Sequence, residues 1–154
     1  MYHTIVASRV RTSFRRLSSG DIEQVINQFA PHFQYTFFGH HALSGTRRSR
    51  EAMRAWFERI FRIFPGTTFD PHTIIVKGWP WDTTIIVRMK VSTTLKTGKP
   101  YENVAYQTFR LRWGRILSIE TLEDTQHLVE TLKELADVGI AEAMAAPILD
   151  SNAT

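Results

Sequence analysis

Between residues 67 and 123 the chain reads as consecutive β-rich runs joined by connectors too short to contain a crossover helix, and this feature constrains the fold more than any other. The runs, about 67–78, 82–95, 101–112 and 115–123, are rich in Ile, Val, Thr, Phe and Tyr. Only Trp79-Pro80-Trp81, Lys96-Thr97-Gly98-Lys99-Pro100 and Trp113-Gly114 separate them. Parallel neighbours need a longer link, so the four strands pair as an antiparallel meander. Strand alternation then sorts the side chains. Arg88, Lys90, Arg110 and Arg112 fall on an outward face, whereas Val87, Met89, Val91, Asn103, Ala105, Gln107, Phe109 and Leu111 point inward. Asn103 and Gln107 are therefore polar groups in an apolar interior, where they need partners or a ligand.

The flanking segments carry helical periodicity. Val6, Val10, Phe14 and Leu17 form one apolar stripe, ended by Ser18-Ser19-Gly20. Asp21 then offers an N-cap with Gln24 as its capping-box partner, and Ile22, Val25, Ile26 and Phe29 predict a second short helix that Pro31 stops. From His32 to Phe38 the aromatics at 33, 35 and 37 alternate as in a strand, which Gly39 closes. The clearest helix follows Ser49: Met53, Trp56, Phe57, Ile60, Phe61 and Phe64 share a face before Pro65-Gly66. A final helix starts at Thr125 with Leu128, Leu132 and Leu135 on one side, and Gly139 divides it from Ile140 and Met144. With 154 residues, 43% of them hydrophobic, the chain has material for one core, so residues 1–146 are expected to be a single α+β domain and 147–154 a frayed tail.

Composition removes several function classes. No cysteine is present, so disulfides, thiolate nucleophiles and thiolate metal sites are excluded. The histidines show no metal-ligand spacing such as HExxH, and there is no Walker, GxGxxG or GxSxG string; neither metal nor cofactor is expected. Residues 1–62 hold ten basic groups against four acidic, 63–119 eight against three, and 120–154 one against eight. That acidic end neutralises part of the basic surface, so the net charge of +4 does not mark a nucleic-acid binder. No uninterrupted apolar stretch suits a signal peptide or a membrane span, and a cytoplasmic protein without a membrane partner is the expectation.

Several strings in this order resemble the nuclear transport factor 2-like superfamily, in its SnoaL-like polyketide cyclase and ketosteroid isomerase-like branch. They are Phe33 through Gly39-His40-His41-Ala42-Leu43-Ser44-Gly45 into Arg50-Glu51-Ala52-Met53, the Gly78-Trp79-Pro80-Trp81-Asp82 connector, and Trp113-Gly114-Arg115-Ile116 leading to Leu122-Glu123-Asp124-Thr125. The resemblance covers about residues 4–135 and implies a cone: a curved, mostly antiparallel sheet with three helices on its concave face, a C-terminal helix, and a deep apolar pocket. It also implies a homodimer and a small apolar or aromatic ligand. The fold hosts cyclases, isomerases, dehydratases, epoxide hydrolases and binding modules, so it does not choose among them.

Candidate chemistry gathers on the last strand. If Ser118, Glu120, Leu122 and Asp124 face the pocket, two carboxylates approach an apolar cavity from one wall; the opposite parity presents Leu117, Ile119, Thr121 and Glu123. The resemblance points to Asp124 as a base removing a proton alpha to a carbonyl, with Glu120 or His41 as a second acid or donor. Asp124 equally suits the N-cap of the helix that follows it. Tyr35 and Gln107 would orient the substrate, within a lining of Phe37, Trp56, Ile60, Met89, Asn103, Phe109 and Leu122. Trp79 and Trp81 either anchor a partner or staple their turn, and Arg47, Arg48 and Arg50 are expected to be solvated.

Overall fold

The computed structural model describes residues 1–152. Helix α1 (Tyr2–Ser18) is followed by a single turn, α2 (Glu23–Ile26), then strands β1 (Phe29–Phe37) and β2 (Gly45–Arg47) and helix α3 (Arg50–Ile63). The meander is β3 (Thr68–Trp79), β4 (Asp82–Thr94), β5 (Pro100–Arg112) and β6 (Arg115–Glu123), with α4 (Thr125–Asp137) and two 3₁₀ turns, Ala141–Met144 and Asp150–Asn152, completing the chain. All six strands belong to one open sheet in the order β2-β1-β6-β5-β4-β3. It is the expected α+β architecture. Every pair is antiparallel except β1 with β6, which runs parallel.

Local chemistry accounts for most element ends. Ser49 caps α3 by accepting the Ala52 N–H at 3.1 Å, and the buried face of that helix is Met53, Trp56, Phe57, Ile60 and Ile63. Val87, Met89, Val91 and Ala105 are buried on the inner face of the sheet, while Arg88, Arg110 and Arg112 are exposed.

Three expectations change. Pro31 does not end a helix; it lies within β1, where pairing to β6 shifts between Phe29 and Gln34, and that irregularity accommodates a residue with no N–H to donate. The preceding helix is accordingly one turn, and Phe29 belongs to the strand. Asp21 accepts the Gln24 N–H at 3.4 Å, but the Gln24 amide reaches the Ser13 carbonyl at 2.9 Å instead of completing a capping box. The segment after Pro147 is held rather than frayed as far as residue 152: Ile148 is buried, and the Asp150 carboxylate accepts the Arg48 and Ser49 N–H groups, each at 2.9 Å. Residues 153–154, the rest of that expected tail, lie outside the described residues.

Candidate functional site

A cavity of about 680 Å³ lies between the helices and the inner face of the sheet. Phe37, Trp56, Phe57, Ile60, Met89 and Phe109 are among the residues of its apolar wall. Its orientation follows from register. Gln107 on β5 faces Thr121 on β6, and Phe109 faces Ile119, so Ile119, Thr121 and Glu123 share the inner face with them.

This reverses the assignment that places Glu120 and Asp124 in the pocket. Glu120 and Leu122 project from the outer face, Leu122 with 51% of its surface exposed. Asp124 is exposed and caps α4, its Oδ1 accepting the His127 N–H at 3.2 Å. The physical reason is a bulge: the register with β5 shifts between Arg110 opposite Ser118 and Leu111 opposite Ile116, so Leu117 is an extra residue, and Ile116 and Ile119 are both buried. A strict two-residue alternation cannot anticipate that break.

Glu123 is the carboxyl the bulge delivers, and it is the only Asp or Glu lining the cavity among the described residues. Its Oε2 accepts the Asn103 side-chain N–H at 3.2 Å. Burial pushes its carboxyl up to about 7. Asn103 is itself fixed: its amide nitrogen also donates to the Tyr101 hydroxyl at 2.9 Å and the Asp124 carbonyl at 3.2 Å, while its oxygen accepts the Val104 N–H at 2.8 Å. It braces the carboxyl and does not itself line the cavity. Tyr101 is stacked between Phe64 and His127, with centroids 5.1 and 5.0 Å away.

A second polar group lies one inward position back along β6. The Gln107 amide donates to Thr121 Oγ1 at 2.9 Å, and the Tyr35 hydroxyl shares a 3.0 Å hydrogen bond with the same oxygen. Burial raises the Tyr35 phenol far above its ordinary value, so it remains a donor at any physiological pH. Behind it lies Arg47, expected to be solvated but wholly buried. Its guanidinium packs 5.1 Å from the Trp56 ring centroid and donates to the Leu43 and Ser44 carbonyls at 3.1 and 2.6 Å; burial draws it down to about 10. Arg50 donates to the Phe29 carbonyl at 2.7 Å, and Arg48 to Gln34 at 3.1 Å.

His41 stands apart from this cavity. Its Nδ1 accepts the Leu43 N–H at 3.2 Å, which leaves Nε2 to carry the proton towards the Phe38 carbonyl, 3.3 Å away. Burial lowers its basicity, and its ring packs edge-on against Phe37. It shapes the loop after β1. Among the described residues no three His, Asp or Glu side chains are grouped to hold a metal ion. Of the expected site residues, then, Tyr35, Phe37, Trp56, Ile60, Met89, Gln107 and Phe109 converge on the cavity; Asn103 stands behind it, and Asp124, Glu120, Leu122 and His41 do not reach it. Thr121, Glu123 and Tyr101 are the additions, the first two belonging to the parity that the bulge selects.

The fold and the pocket define a nuclear transport factor 2-like protein. More narrowly, the chain belongs to the SnoaL-like domain family, whose description matches residues 10–119. Solved structures with the same fold include PrhC from Penicillium brasilianum NBRC 6234, 17% identical over 93% of this chain and 94% of its own, with a TM-score of 0.77. An NTF2-like protein of unknown function from Burkholderia pseudomallei K96243 is 19% identical over 81% of this chain and 95% of its own, at a TM-score of 0.71. TerC, co-crystallised with polyporic acid, is 15% identical over 83% and 97%, at 0.70. No curated protein sequence matches the chain.

Proposed function

We propose that the cavity binds a flat, mostly apolar carbonyl compound and that Glu123 removes and returns a proton alpha to the carbonyl, in an isomerisation or ring closure that uses no cofactor. The observation that carries this reading is the position of Glu123: among the described residues it is the one carboxyl in a mostly apolar cavity, and it is braced by Asn103. A carboxyl tuned to about 7 is half-ionised at neutral pH, which suits it both to take a proton and to return it. Thr121 and Glu123 are two residues apart on one strand face, so their side chains start about 6.6 Å apart. That separation admits a Cα–C=O unit with its carbon at the carboxylate and its oxygen at the Tyr35, Gln107 and Thr121 cluster. As the proton leaves, negative charge moves to that oxygen, where the Gln107 amide and the hydroxyls donate to it. The cavity volume falls within the range of small-molecule sites, and a likeness to a protein crystallised with polyporic acid supports an aromatic occupant.

The test works whatever the product turns out to be. Aromatic ketones and cyclic diketones are incubated with the protein in D₂O, and deuterium entry alpha to the carbonyl is followed by NMR. Exchange catalysed by wild type and abolished in Glu123→Gln, with ligand binding retained, supports the reading. Ligands that bind without any exchange would instead make the chain a binding module of the same fold. A homodimer, as the family resemblance implies, belongs to the same proposal; Ile75, Ile86, Val104, Tyr106 and Leu122 leave an apolar strip exposed on the outer sheet face.

A further inference from the structure

Trp79, Trp81 and Trp113 are 58%, 55% and 69% exposed. They do not fold back over the sheet as a staple. With Tyr2 they form a file of rings at the tips of the β3–β4 and β5–β6 hairpins, successive centroids lying 6.5, 6.2 and 6.2 Å apart. The file is rigidly mounted: the Trp113 N–H donates to the Pro80 carbonyl at 2.5 Å, Tyr2 and Thr83 share a hydroxyl bond, and His3 lies 2.8 Å from the Gly78 carbonyl. Trp113 and Gly114 both have positive φ, 50° and 75°, in the two-residue turn between Arg112 and Arg115. Such a turn favours Asn-Gly, and a bulky residue in its first position costs free energy. The strained conformation belongs to the most exposed of these three indoles.

Two further observations bear on what this tip meets. The cavity reaches it, since Tyr2, Ile5 and Arg9 on one side and Pro80, Trp113 and Gly114 on the other are lining residues. The tip is also cationic. Lys77, Arg110, Arg112 and Arg115 lie at the turn ends of β3, β5 and β6 and Arg9 lines the cavity beside them; Arg115 donates to the Asn27 carbonyl at 2.7 Å, and the carboxylate of Asp82 is held by Arg110 at 3.2 Å. Glu102, Glu123, Asp124 and Glu134 lie at the other end of β5 and β6 and on α4.

We infer that this tip docks peripherally on an anionic lipid surface, so that the cavity opens towards the bilayer in which an apolar ligand dissolves. Tryptophan and tyrosine sit at the membrane–water boundary because one part of each ring system is apolar and another donates a hydrogen bond. Arginine and lysine beside them are drawn to anionic headgroups. Among the described residues no helix is long and apolar enough to cross a membrane, and a peripheral contact needs none. The sequence expectation of no membrane partner rests on the absence of a span and does not bear on such a contact. The inference is also independent of any chemistry at Glu123.

The experiment is flotation of the intact protein with phosphatidylcholine vesicles and with phosphatidylcholine–phosphatidylglycerol vesicles, read alongside tryptophan emission. Wild type is expected to float with the anionic vesicles alone, with a blue-shifted emission that salt reverses. Lys77→Gln and Arg112→Gln each weaken the partition about fivefold. Trp113→Asn, which gives the turn a residue it favours, loses binding without losing thermal stability, and Glu123→Gln floats as wild type does. Failure to float with either vesicle overturns the inference, as does unchanged flotation of Trp113→Asn. So does a single-stranded oligonucleotide that binds as tightly as the vesicles, or self-association that Trp113→Asn abolishes in sedimentation.

Discussion

Glu123 and Asp124 are adjacent carboxylates with opposite relations to solvent, and that contrast makes each testable by itself. For Glu123, burial lifts the folded-state value to about 7 from an ordinary 4.5, so folding favours the protonated form. Its stabilising share is complete below about 4.5, declines as pH rises between the two values and is gone above 7, a loss of about 3 kcal/mol. Glu123→Gln removes the titration, so its melting temperature relative to wild type is expected to rise between pH 5 and pH 8; a relative fall would mean that the ionised form is the stabilised one. Asp124→Ala is expected to cost about 1 kcal/mol by removing the α4 cap. It should leave deuterium exchange untouched, whereas Asp124→Ser should restore the melting temperature. Loss of exchange in a folded Asp124→Ala protein would return that residue to the reacting centre.

At the scale of elements, the hairpins show what a sequence does and does not disclose. The meander is legible because its connectors are short and its strands alternate, and α3 because six apolar residues and a serine cap agree on one helix. The inward set of β6 is not legible, because the extra residue at Leu117 slips the alternation and only the register with β5 reveals it. Likewise the β1–β6 pairing leaves no local trace, since the partners lie at opposite ends of the fold's sequence. Arg47 reads as a surface charge until β2 pairs with β1 and buries it beneath Trp56. Gly78, by contrast, is a position where the backbone itself makes a demand. Its φ of 96° suits only glycine, and a Cβ there would overlap the Asp82 carbonyl oxygen across the hairpin. Gly78→Ala is expected to destabilise the protein by at least about 1–3 kcal/mol, the backbone strain adding to that overlap, measured by urea unfolding. Gly98→Ala, where no neighbouring atom obstructs a Cβ, should cost less.

For the whole molecule, the sheet's two faces divide the labour: the inner one encloses the cavity, and the outer one leaves Ile86, Tyr106 and Leu122 uncovered. If that outer strip is the dimer surface, Ile86→Arg combined with Leu122→Arg converts the dimer to a folded monomer in sedimentation while ligand binding persists. A wild type that is monomeric at every concentration removes the homodimer from the proposal. The β1–β6 ladder carries a different consequence, one of timing. Gln34 pairs with Ser118 across about 84 residues, so during synthesis β1, with Phe33, Tyr35 and Phe37, emerges from the ribosome long before its partner exists. Closing so long a loop is entropically costly and slows folding. Until then the edge of this aromatic strand that β6 will cover is unpaired, and such an edge favours aggregation of the nascent chain.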